Sequence, residues 1–213
     1  TNLSIITLGF KLLKLVMPKA DITWQVEDGA RHNFSPVCPR YAQGLYIAAA
    51  PCAELPGWGM EDTDHALRMM SLTSWLDLLC QCKIQHVICI MDEEELEKKF
   101  GTLGDGGLAA TCRGQGLGFS QIAVQEPAAT LQDTFKQLEA LSTTSSVLVC
   151  HDGRGLSAAA AVAWLTLHCG QALDASIEAV IGSASQVGAT RMPLEAFETR
   201  EAFTAALSKV QSG

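Results

Sequence analysis

The residues best equipped for chemistry lie between positions 150 and 157. Cys150 is followed by His151-Asp152-Gly153-Arg154-Gly155-Leu156-Ser157. The apolar run Val147-Leu148-Val149 leads into the cysteine, and Ala158 to Ala161 follow the serine. This pattern predicts a buried strand, a glycine-containing loop and a helix. A loop from a parallel strand into a helix lies at the carboxyl edge of a sheet, where ligands bind. There the loop N–H groups and the positive end of the helix converge into a cradle for an anion. Glycines at 153 and 155 permit positive φ and close approach of a ligand. His151 to Ser157 are therefore the candidate phosphate-binding residues and Cys150 the candidate nucleophile. The field of such a loop is expected to lower the thiol pKa. Ser157 is placed to hydrogen-bond the thiolate or to protonate it as a leaving group.

The elements that must position this loop follow from periodicity. Strands are expected at 22–26, 44–50, 86–91, 118–124 and 145–150, the third and last of them continuous apolar runs typical of buried central strands. Helical spacing covers about 65–80, capped by Asp62-Thr63-Asp64, with Leu67, Met70, Trp75, Leu78 and Leu79 on its apolar side. Asp92 to Phe100 reads as a charged surface helix with an acidic start and a basic end, matched to its dipole. Gly101 to Gly107 reads as a loop. Further helices are expected at 131–141, 157–168 and 173–181, with a last helical stretch over 194–210. Strands alternating with helices predict an α/β fold, a mostly parallel central sheet flanked by helices on both faces.

Composition bounds the function. The chain has 213 residues and a net charge of −8, from 15 Lys+Arg against 23 Asp+Glu, which gives a nucleic-acid role no electrostatic support. Its eight cysteines lie mostly in apolar runs, as in Val87-Ile88-Cys89-Ile90, where a thiol acts as a small hydrophobe. Cys80-Gln-Cys82 is not a zinc spacing. The expectation is an intracellular, reducing compartment, cytoplasmic or organellar, with no metal or other cofactor. Residues 1–19 read as an apolar extension and 20–213 as the domain. Ile5, Leu8, Leu12 and Leu15 form one helical face in a segment too short and too interrupted to cross a membrane, so residues 1–16 are expected to pack on the protein itself or on a larger assembly.

The sequence Cys150-x-x-Gly153-x-Gly155-x-Ser157 resembles the signature of the cysteine-dependent protein tyrosine and dual-specificity phosphatases. The segments Leu45 to Cys52 and Lys83 to Ile90 are similar to the cyclin-dependent-kinase-associated branch of that superfamily. The resemblance implies a phosphatase-like domain in which the cysteine attacks phosphorus and an arginine six residues on clamps the equatorial oxygens. Here that position holds Leu156, and Val149 replaces the usual histidine before the cysteine. The family also takes a general-acid aspartate from a loop after the 118–124 strand. This chain offers Glu126 there, in Val124-Gln125-Glu126-Pro127, and Asp152 is a second candidate because some phosphoinositide phosphatases carry an aspartate at that loop position. Arg154 and Arg191 are the candidate replacement cations.

Three functions fit this pattern. The first is a catalytically impaired pseudophosphatase that binds a phosphorylated protein or another phosphate ligand, or serves as a subunit of an assembly. The second is an active phosphoprotein phosphatase with a rearranged site built on a Cys150 thiolate. The third is rhodanese-like sulfur transfer, although rhodanese loops resemble Cys-x-x-Gly-x-Arg-Ser, and this loop has one residue more and no arginine before Ser157.

Overall fold

The computed structural model describes residues 26–55, 65–101 and 106–212. The apolar segment 1–16, the cap at 62–64 and most of the 22–26 strand expectation lie outside these residues. Val26 itself begins a helix, α1 (Val26–Arg31).

Five strands form one sheet: β1 (Ser35–Cys38), β2 (Ala42–Ala49), β3 (His86–Ile90), β4 (Gly118–Ile122) and β5 (Ser146–Cys150). Their spatial order is β1-β2-β5-β3-β4, with β1 antiparallel to β2 and every other pairing parallel. This is the expected mostly parallel sheet. β1 was not anticipated because it contains Pro36, which a short edge strand tolerates and a central strand does not.

β5 is central and buried along its whole length. Successive side chains of a strand point to opposite faces. Val147 and Val149 join a core layer with Leu72, Trp75 and Leu79 of α2 (His65–Gln81) and Cys112 of α4 (Gly107–Gly114). Leu148 and Cys150 face the other layer, formed with α5 (Pro127–Ala140), α6 (Leu156–Ala163), α7 (Leu173–Ser185) and α8 (Arg200–Ser212). The phase of this alternation decides which side of the sheet the cysteine thiol occupies.

The alanines of α6 are buried all round, as the sequence implied, and their small side chains let that helix lie against β5. A π-helical turn, Trp164–His168, completes it. One expectation is corrected. Leu67 and Met70 are 49% and 69% exposed, and Leu72 and Leu76 take their places against the sheet. Residues 102–105 of the expected loop lie outside the described residues, and α4, a short helix with little apolar periodicity, follows in a stretch for which no element was expected. The charged helix is present as α3 (Glu93–Phe100), but its Lys99 is buried beside Glu95.

Candidate functional site

Cys150 ends β5 with only 5% of its surface exposed. The chain then turns through Gly153, whose φ of +70° belongs to the left-handed region. A Cβ at that position would stand 2.6 Å from the Ala49 nitrogen and 2.7 Å from the Ala48 carbonyl carbon. Only glycine lets the loop pass this close to β2. Gly155 precedes α6 and its carbonyl accepts the Ala159 N–H at 2.9 Å. Ser157, fully buried in the first turn of α6, places its Oγ 3.0 Å from Cys150 Sγ. The expected thiol–hydroxyl pair is therefore formed.

Two segments hold the loop from behind, and one bond braces it from within. The Asn33 amide donates to the carbonyls of Asp152 at 2.6 Å and Thr190 at 3.1 Å, and its oxygen accepts the Thr190 N–H at 2.7 Å. The Met192 N–H donates to the Arg154 carbonyl at 3.0 Å. Asp152 Oδ1 accepts the Arg154 N–H at 2.8 Å and lies 4.0 Å from the Cys150 sulfur.

Above Cys150 lies a pocket of about 270 Å³, walled by Ile90, Val124, Leu156 and Ala196. Its charged lining is Asp92, Glu95, Asp152 and Glu195, with no lysine or arginine among the described residues. His151 also lines it, and burial together with the nearby Lys99 charge holds the imidazole below its usual pKa and favours the neutral ring. Leu156 is half-buried here and packs on the core, so an alkyl group fills the place the resemblance assigns to a guanidinium.

The expected depression of the Cys150 pKa is reversed. Burial is the largest influence and pushes the thiol up, as does the Asp152 charge. Hydrogen bonds from Ser157 and the Gly153 N–H oppose this without overcoming it. A buried anion beside the Asp152 carboxylate is disfavoured relative to the neutral thiol.

Neither candidate cation reaches the pocket. Arg154 points to the opposite side of the loop, its Nη2 2.6 Å from the Met192 sulfur. Arg191 is 4% exposed beneath the loop, donating to the carbonyls of Asn33, Ile47 and Thr190 and to Ser35 Oγ. Desolvation pushes its pKa down to about 9, against the pull of Cys150 and Asp152. Glu126, the candidate acid, is exposed at the start of α5 and does not line the pocket. The carboxylates that do line it besides Asp152 were missed. Asp92 and Glu95 follow β3, the neighbour of β5, so the rule that ligands sit at the carboxyl ends of strands could have found them. Glu195 comes from a late turn that carries no such signal.

No protein-family model matches the chain. No curated protein matches it. Solved structures do. Tk-PTP in its active form superposes with a TM-score of 0.50 at 15% identity, over 79% of this chain and 91% of that one. The human tyrosine phosphatase-like serine/threonine/tyrosine-interacting protein gives 0.51 at 13% identity, over 84% and 95%. PTPMT1 gives 0.51 at 14% identity, over 84% and 96%. With the strand order and the cysteine loop already described, these likenesses show that the chain has the protein tyrosine and dual-specificity phosphatase fold.

Proposed function

We propose that this protein is a pseudophosphatase, a phosphatase-fold domain that acts by binding a phosphorylated protein partner and not by turnover. The observation that carries the reading is the lining of the Cys150 pocket: Leu156 and four carboxylates, of which Glu95 alone is ion-paired, with no lysine or arginine lining it among the described residues. Phosphoryl transfer in such a loop depends on electrostatic stabilisation of an anionic transition state. Losing one such donor costs about 10² to 10³ in rate. Here the missing charge is compounded by pocket carboxylates that repel a substrate dianion, and burial together with Asp152 raises the cysteine's pKa.

An active site rebuilt around another arginine draws no support from the positions of Arg154 and Arg191. The test is protection of Cys150 from alkylation by tungstate, a tetrahedral oxyanion. Tungstate is expected to leave the wild-type thiol unprotected and to protect it in Leu156→Arg. Equal protection in both proteins would contradict the reading.

A further inference from the structure

Behind the Cys150 loop the charge balance differs. A second cleft of about 400 Å³ is lined by Arg31 at the end of α1, Asn33, Glu54, Asp152, Arg154 and Thr190. Two arginines here balance two carboxylates, Asp152 and Glu54, each of which accepts a hydrogen bond. Asp152 Oδ1 is turned to the Arg154 N–H and the Cys150 thiol, and Glu54 Oε1 accepts the Ser71 hydroxyl at 2.6 Å. Both arginines have donors to spare. Among the described residues the Arg154 Nη2 donates to the Met192 thioether sulfur, a weak acceptor that an anion's oxygen would outcompete. Arg31 is exposed and takes part in neither ion pair of the described residues.

Two guanidinium groups facing one cleft suit a tetrahedral dianion better than a carboxylate, because each fork can take its own oxygens. Asn33 ties the segments around 152 and 190 together, so the walls of the cleft are fixed before anything binds.

We propose that this cleft, and not the pocket over Cys150, receives the phosphoryl group of a phosphorylated protein partner, with Arg154 and Arg31 as its ligands. The proposal rests on the partner-binding reading and moves the recognition site to the other side of the loop.

The test titrates the full isotope-labelled chain with inorganic phosphate and with the tripeptide Ala-phosphoserine-Ala, following the Arg154 Nε–H resonance and, in parallel, protection of Cys150 from alkylation. Both ligands are expected to shift the Arg154 signal while Cys150 stays unprotected. Arg154→Gln or Arg31→Gln should each weaken binding about tenfold, the loss of a charge-assisted hydrogen bond. Lys209→Gln, an exposed charge on α8, should leave binding unchanged. Binding of inorganic phosphate with exclusion of the tripeptide would overturn the assignment to a protein partner. Protection of Cys150 with an affinity indifferent to Arg154→Gln would overturn the site while leaving phosphate-dependent partner binding standing. A silent Arg154 resonance and an unprotected Cys150 would overturn both.

Discussion

Cys150 Sγ and Ser157 Oγ stand 3.0 Å apart beneath a pocket whose charged lining is entirely carboxylate. The thiol has a hydroxyl partner and a carboxylate neighbour, Asp152, but no cation lines the pocket above it among the described residues. The loop backbone and the chemistry of its side chains have therefore separated in this protein.

These neighbours fix the pH behaviour of the thiol. Burial and the Asp152 charge raise the Cys150 pKa, and the Ser157 hydroxyl lowers it by hydrogen-bonding the thiolate. Alkylation of Cys150, followed by mass spectrometry, is expected to keep accelerating beyond the pH at which an ordinary thiol ionises, the rate tracking the thiolate fraction. Ser157→Ala should move the profile to higher pH and Asp152→Asn to lower pH. A rate already level below about pH 7, as for an activated cysteine, would contradict the burial argument.

The carboxylates and Leu156 oppose an anion independently. Tungstate affinity at Cys150 is expected to rise with Leu156→Arg and to rise again when Glu195→Gln is added, because Glu195 is an exposed rim charge whose removal reduces repulsion. Titration by protection from alkylation measures both steps. An unchanged affinity in the double variant would show that Glu195 does not act on the pocket.

Gly153 is required by the close pass over β2. Gly153→Ala places a Cβ within 3 Å of the Ala48–Ala49 backbone at a positive φ. The expected loss is about 2 kcal/mol or more in urea unfolding, from backbone strain with the clash added. Gly155→Ala meets nothing closer than 4.0 Å and should cost much less.

Arg191 is a strut. Arg191→Met removes the donors to three carbonyls and a serine hydroxyl and should destabilise the fold by about 3 kcal/mol. Arg191→Lys, which keeps the charge but not the fork, should recover only part of this in the same unfolding measurement. Full recovery by lysine would show that charge, not geometry, is what the site needs.

Much of the fold was legible in the sequence, and the reasons are local. The runs at 86–90 and 146–150 are apolar enough to be central strands in any context, and the alanines after Ser157 fit only a helix packed closely on a sheet. β1 was hidden by Pro36, and α4 by its glycines and weak periodicity. In the site, Gly153, Gly155 and Ser157 announced the loop because their spacing is tied to its geometry. The thiol pKa was misjudged because the loop's favourable field is visible in sequence whereas burial is not. Asp92, Glu95 and Glu195 converge only through the strand order and a late turn, which no local pattern encodes.

The central claim, that Cys150 sits in a site that does not turn over phosphate, is tested most directly by aryl-phosphate hydrolysis with the wild-type chain and Cys150→Ser side by side. The account predicts equal, background-level rates for the two proteins. Wild-type hydrolysis that rises well above background and disappears with Cys150→Ser would contradict it.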